Sequence, residues 1–432
     1  MLFPSIFSKT SLGDHPAFYS FVAKSKFLPA TAHPNITRLY LIKIAKWFML
    51  YMPIVVPFYE SNGLSMKDIM ILQAAYSVAI VVLEVPSGYL ADVIGRRKTL
   101  ILGAVFGTLG FTTYSLSYGF VGFLIAEMIL GIGQSCISGA DSAMLYDSLL
   151  DRGEEKKYTR FEGRITSLGN LAEAIAGILG GLLAGIALRA PYVAQSFVAF
   201  IALPAAITLV EPVRKTLLIK GGMMEILQIA RFALITDRPL RRNILFSAIT
   251  GTATLTMAWF AQPFFEYTLI DIAWFGILWT TLNLTVAISS YTAHLLEKKL
   301  GQQLSILLIA LLIPLGYLAL SRFHQPIGLI VLYLFYLVRG YATPVLKDYI
   351  NRITASHIRA TVLSVRNFII RLLFALIGPL LGWVKDIYSL PQALTLAGII
   401  FLIISVLTAI LFISSGKEME QVRDYTSRTN PS

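Results

Sequence analysis

The chain has 432 residues, of which 56% are hydrophobic and only 14% charged, and its one cysteine, Cys136, leaves no partner for an internal disulfide or a cysteine metal site. That balance excludes a soluble domain of ordinary composition and reads as an all-α integral membrane protein. A net charge of +12 would suggest nucleic acid as a partner of a soluble protein, but here no nucleic-acid partner is expected, because the basic residues sort by membrane side.

Residues 1–38 contain Lys9, Lys24 and Lys26 and no apolar core followed by a small-residue cleavage site, so they read as a cytosolic segment and not a signal peptide. Runs of about 20 apolar residues, enough to cross the hydrocarbon, then predict twelve spans. They are 39–58, 66–91, 99–117, 119–145, 161–187, 192–209, 241–265, 273–296, 303–320, 326–349, 360–383 and 391–413. Between the sixth and seventh spans, the stretch from Glu211 to Arg242 holds seven basic residues. Its apolar positions Met224, Leu227, Ile229, Ala230 and Leu234 are spaced for an amphipathic helix on the membrane surface. The domain plan is therefore a six-helix bundle over 39–210, a basic linker over 211–240, a second bundle over 241–413 and a cytosolic tail over 414–432.

With the amino terminus inside, and residues toward a span end assigned to the nearer side, the 36 Lys and Arg divide as 29 inner, 4 outer (Lys67, Arg189, Arg322, Lys385) and 3 left within spans (Arg339, Arg366, Arg371). This asymmetry predicts both ends cytosolic. A shift of 201 residues lays Gly139 on Gly340, Leu145 on Leu346, Asp147 on Asp348 and Gly181 on Gly382, an internal repeat of the kind expected from two related bundles. The five histidines have no metal-ligand spacing, no nucleophile pattern is present, and no phosphate-binding Gly-x-x-x-x-Gly-Lys loop occurs. No enzyme activity, metal or cofactor is expected.

The second span ends in Gly88-x-x-x-Asp92-x-x-Gly95-Arg96-Arg97-Lys98, and this turn resembles the signature loop between the second and third helices of major facilitator superfamily transporters. The resemblance implies two six-helix bundles that rock about a central site, moving a small-molecule solute by alternating access. It also implies a cytosolic gate at Gly88, Asp92, Gly95, Arg96 and Arg97, with Asp147 and its repeat partner Asp348. Gly88 would let a neighbouring helix approach and Gly95 would permit the turn. Other family motifs depart: Glu127 stands four residues before Gly131 where drug exporters carry arginine, and the fifth span has Ala176-Gly177 in place of a Gly-Pro pair. A bacterial inner-membrane protein, working as a monomer in the lipid bilayer, is the corresponding expectation.

Carboxylates inside a bilayer are costly and hence functional candidates, about 2.5 to 3.5 kcal/mol each on insertion scales. Glu84, Glu127, Asp141 and Glu173 qualify as sites that exchange a proton. Glu127, Gly131, Gln134, Ser138 and Asp141 recur at intervals of three and four, one polar face of the fourth span. In the second half Arg339 and Arg371 offer donor forks for an anionic or zwitterionic group. Gln262, Trp259, Asn283, Gln134, Tyr76 and Tyr51 complete the expected substrate lining. The resulting expectation is a proton-coupled transporter of a small amphipathic organic solute, by antiport or efflux. A uniporter, an organic-anion symporter or a non-transporting receptor of the same fold are the alternatives.

Overall fold

The structure is a computed structural model that describes residues 34–138, 140–154, 157–212, 222–324, 326–355 and 358–429, with backbone alone at 85, 92, 159, 166, 222, 223, 360 and 415–429. Within hydrocarbon every backbone N–H and C=O needs a partner inside the protein, so the apolar runs fold as helices. The first crossing is the exception that shapes the centre. Helix α1 (Pro34–Trp47) stops, a 3-10 turn covers Met52–Ile54, and α2 (Val55–Ser61) completes the span. The sequence reading has one continuous span here. Pro53 and Pro57 break it, since neither has an N–H to give and each ring crowds the preceding turn.

The freed backbone groups are taken by two glutamines from elsewhere in the chain. Leu50 N–H donates to Gln195 Oε1 at 2.9 Å, Val56 N–H donates to Gln262 Oε1 at 2.9 Å, and Gln262 Nε2 donates to the Met52 carbonyl at 2.7 Å. Gly180 lies against the same break, where a Cβ would stand 1.9 Å from the Leu50 carbonyl oxygen.

Helix α3 (Met66–Ile94) starts with a capping box between Ser65 and Asp68, and Gly95, at φ 110°, turns the chain into α4 (Arg96–Leu116). Helices α5 (Gly119–Ile137) and α6 (Ala140–Leu150) make the fourth crossing, followed by α7 (Tyr158–Ile186) and α8 (Ala190–Ile207). Helix α9 (Gly222–Arg231) and the π-turn Phe232–Thr236 lead to α10 (Arg238–Tyr267), whose first turn is capped by Asp237 accepting from Leu240 N–H at 2.8 Å. A 3-10 turn at Ile272–Trp274 precedes α11 (Phe275–Leu320), and α12 (Ile327–Ile353), α13 (Arg359–Ile387) and α14 (Leu390–Thr429) follow.

Among the described residues eleven stretches are long and apolar enough to cross a membrane, one fewer than the twelve expected. The difference lies in α11, which is 46 residues long and leaves helical geometry at Gly301, φ 73° and ψ 170°. At about 1.5 Å per residue it is twice the length one crossing needs, so α11 is two spans joined at that glycine. Gly301 ends its span with positive φ as Gly95 does, and the turn repeats between the halves. Gly139, one of the repeat positions, lies outside the described residues.

Two seams join the halves, α3 against α13 and α7 against the start of α11. The repeat pair Gly181 and Gly382 sits on them, one on each. A Cβ on Gly181 would be 2.9 Å from Gly276 Cα, and one on Gly382 would be 2.8 Å from the Met66 carbonyl. Small residues let helices approach where lipid gives no hydrophobic drive.

The apolar cores divide by depth. One cluster unites Phe58, Met66 and Phe123 of the first half, on the far side from the linker, with Phe260, Phe374 and Leu381 of the second, and within the second half it runs on to Phe246, Tyr349 and Phe412. Toward the linker face the halves have separate cores, Leu39, Leu100, Met144 and Ala206 in the first and Leu240, Ile350 and Val362 in the second. Ile229 and Ala233 of the linker pack on the latter.

Gly180→Ala is expected to destabilise the protein by about 1 to 3 kcal/mol through overpacking, while Gly185→Ala, whose Cβ meets nothing within 4 Å, stays within about 0.5 kcal/mol. Unfolding midpoints in detergent decide this, and equal midpoints refute the close contact. Gln262→Ala leaves two buried backbone groups unpaired, at about 1 to 3 kcal/mol each. Its midpoint should fall without any ligand present, which loss of a substrate contact alone does not cause.

Candidate functional site

A cavity of 410 Å³ lies between the halves on the linker side of the broken span. The first half supplies Lys46, Tyr51, Tyr76, Glu127 and Gln134 to its wall, and the second supplies Leu255, Trp259, Arg371 and Phe374. Five expected lining residues therefore converge: Tyr51, Tyr76, Gln134, Trp259 and Arg371. Toward the far face the cavity ends on the fused core, and toward the linker face its wall continues to Ile42 and Ile137.

Glu127 is 5% exposed and accepts hydrogen bonds from Tyr59 Oη at 2.9 Å and from Gln73 Nε2 at 2.5 Å. The Tyr59 hydroxyl is in turn hydrogen-bonded to that of Tyr114. These donors come from α2, α3 and α4, so three helices are oriented on one carboxylate of α5. An aromatic shell holds the donors, with Tyr114 stacked on Tyr192 at 5.2 Å and Phe58 on Tyr192 at 4.0 Å. Helix α5 can bring Glu127 this close because Gly131, one turn on, leaves room for Ala79 of α3, 2.9 Å from where its Cβ would be. Gln73, Tyr59 and Tyr114 were not among the sequence candidates, since a tyrosine or glutamine in an apolar run carries no mark of the carboxylate it will meet.

The other embedded charges have different surroundings. Glu173 on α7 is electrostatically coupled to Arg339 on α12, and Arg339 lies over the Tyr336 ring at 5.3 Å; neither charge lines the cavity. Asp141 pairs with Lys43 at 3.1 Å within the first half. Glu84 is exposed on α3 outside the cavity wall. Gln262 is turned to the backbone of the broken span, and Asn283 donates to the Trp279 carbonyl of its own helix at 3.1 Å. Arg366, 5% exposed, donates to Ser247 Oγ at 2.5 Å and to Asn367 Oδ1 at 3.0 Å.

At the linker face Arg96 forms an ion pair with Asp147 and donates to the Ala143 carbonyl at 2.5 Å. Arg97 donates to the Ile207 carbonyl at 2.6 Å. Glu211, read from sequence only as the start of the linker, accepts the backbone N–H groups of Arg96 and Arg97, each at 2.8 Å. A carboxylate there caps the α4 terminus and meets its positive dipole end. In the second half Asp348, 51% exposed, pairs with Arg352 at 2.6 Å, and Arg352 reaches Glu297 at 3.7 Å. Each of these pairs lies within one half. The Asp92 side chain lies outside the described residues. Gly88 does not serve a close approach in this conformation, because a Cβ there would meet nothing within 4 Å.

At the far face the contacts run between halves. Lys385 pairs with Glu60 at 2.6 Å, and Asp386 accepts the N–H groups of Met66 and Lys67 at 2.9 and 2.7 Å, capping α3 from the other bundle. Sequence reasoning used Lys385 only for orientation. The available hint was an adjacent Lys-Asp pair at an outer span end.

The family profile described as Major Facilitator Superfamily matches residues 40–379. A comparison with curated protein sequences finds no match. Similar solved structures include the nucleoside transporter NupG, at TM-score 0.74 and 14% identity, covering 88% of this chain and 98% of that one. A bacterial homolog of the human lysosomal transporter Spinster, in an inward-facing and occupied conformation, aligns at TM-score 0.70 and 15% identity over 88% and 96% of the two chains. A POT family transporter in complex with a thioalcohol-conjugated peptide aligns at 0.67 and 14% over 88% and 96%. At these identities the neighbours speak for the fold alone. With its sequence match over most of the length and its paired six-helix halves around a central cavity, this multi-pass membrane protein belongs to the Major Facilitator Superfamily of transporters.

Proposed function

We propose that the protein is a secondary active transporter that moves a small organic solute by alternating access and couples that movement to protons through Glu127. The observation that carries the reading is a buried carboxylate on the wall of a cavity shared by both halves. In its ionised form Glu127 accepts from Tyr59 and Gln73; once protonated it needs fewer donors and gives one proton itself. A proton therefore changes what holds α2 and α3 against α5, and α3 is the helix that runs along α13 of the other half. That link connects protonation to the seam on which the halves must move.

The linker face is the cytosolic one on the positive-inside rule, because it carries most of the Lys and Arg, and the family resemblance favours the inner membrane of a bacterium. In this orientation the conformation is open inward. Closure at the far face rests on the Lys385–Glu60 pair, the Asp386 cap and the glycine contacts. The neighbours named above have different cargoes, and none is carried over.

In sealed proteoliposomes with an internal pH dye, solute addition to the wild type should move protons, and the sign of the pH change separates exchange from co-transport. Glu127→Gln keeps an acceptor for Tyr59 while removing the titratable group. It should lower solute-driven proton movement at least tenfold and retain solute exchange; an unchanged proton flux sinks the coupling role. Asp386→Ala removes a cap of about 0.5 to 2 kcal/mol, which shifts the closed-to-open ratio at the far face several-fold. With Cys136→Ser as background, an impermeant thiol reagent added from the far face should modify Ser77→Cys correspondingly faster, and an equal rate argues against this latch.

A further inference from the structure

The charges on the cavity wall do not balance. Glu127 is the acid on that wall, and Tyr59 and Gln73 already occupy its oxygen. Two cations line the same cavity from opposite halves, Lys46 in the last turn of α1 and Arg371 on α13. Neither has a hydrogen-bond or ion-pair partner among the described residues.

The neighbouring charges do not cancel this excess. Asp141 acts on Lys46 electrostatically but is in direct contact with Lys43 at 3.1 Å. Glu173 is coupled to Arg339, Lys385 to Glu60, and Glu84 lies outside the wall. With Lys46 protonated, the wall is positive by one charge when Glu127 is ionised and by two when it is not.

A transporter cavity whose two cations have no partner among the described residues, and whose one acid is already held by Tyr59 and Gln73, is complementary to an anion. Arg371 presents a planar fork matched to a carboxylate or phosphate, while Lys46 is a mobile point charge on a flexible stem. Around them the wall is apolar and aromatic, with Tyr76, Trp259, Phe374 and Leu255 facing the same space. Its 410 Å³ falls within the range of small-molecule sites.

We propose that the cavity binds a small organic anion, a carboxylate or phosphate ester on an apolar or aromatic body, with its acid group between Lys46 and Arg371 and its body against Trp259 and Phe374. Because the two cations belong to different halves, they repel as the cavity narrows, and a bound anion replaces that repulsion with attraction to both sides. The site thus favours closure around a loaded anion over closure when empty. The inference rests on the transporter reading for its cargo, but binding and flux are measured apart.

The test uses the full chain purified in detergent and four probes of matched shape, 1-naphthoate, 1-naphthyl phosphate, 1-naphthylmethylammonium and 1-naphthalenemethanol. The unfolding midpoint and tryptophan quenching are followed against probe concentration. The expected result is saturable binding of the two anions, at least tenfold tighter than the amine or the alcohol. Arg371→Gln and Lys46→Gln should each weaken anion binding tenfold or more, with Arg371→Lys recovering part. Arg371→Glu should favour the amine, a gain that a misfolded variant cannot show. Failure of both anions to bind, binding of the amine as tightly as the anions, or anion binding unchanged in the double variant overturns the proposal. Anion binding without flux in proteoliposomes leaves the site standing and removes the transport reading instead.

Discussion

The break in the first span is the constraint on which the centre of the molecule depends. Interrupting a helix at membrane depth exposes backbone groups that lipid cannot satisfy, each at a penalty of several kcal/mol. Here Gln195 and Gln262 take those groups, the first from within the same half and the second from the other half. The break is therefore also a tie. It holds the halves together at the far side of the cavity, and it turns Tyr51, Met52 and Val55 onto the cavity wall. Gly180 is required beside it because nothing larger clears the Leu50 carbonyl.

From this tie outward the two faces differ in kind. On the far face, ion pair, helix cap and glycine seam all cross between halves, and the apolar core is continuous. On the linker face the charged side chains are spent inside each half, as Arg96 on Asp147 and Arg352 on Asp348, and the cores separate. None of the polar contacts is individually large. Part-exposed ion pairs contribute about 0.2 to 1 kcal/mol and caps about 1 kcal/mol. A balance made of such increments can be reversed by a proton or a bound ion, which suits a protein that must open on either side.

The repeat has a physical sense that sequence spacing alone could not supply. Gly181 and Gly382, related by the 201-residue shift, each meet backbone of the opposite half, one at each seam. Gly95 and Gly301 both turn the chain with positive φ between adjacent spans. What recurs is thus the set of positions where backbone must approach backbone or reverse direction, while the side chains of the cavity wall are free to differ. That freedom is visible in the charges of the cavity wall, with Glu127 on one half and Arg371 on the other.

Helix positions, the two bundles and the signature turn were legible in the residues because a bilayer imposes one local rule: an apolar run of the right length becomes a spanning helix. Polar residues in such runs could be recognised as candidates, and Glu127, Arg371, Tyr76, Tyr51, Gln134 and Trp259 do share a cavity. Which polar residue meets which could not be read, because partners such as Gln262 and Val56 lie 206 positions apart in the chain and periodicity reports only the face of a single helix. The lengths of the apolar runs dictate which segments enter the membrane and how often the chain crosses it. The tertiary packing alone decided that Gln262 holds backbone, that Glu127 is shielded by tyrosines, and that Lys46 and Arg371 have no partner among the described residues, since hydrogen-bond saturation and charge balance belong to the assembled surfaces of several helices.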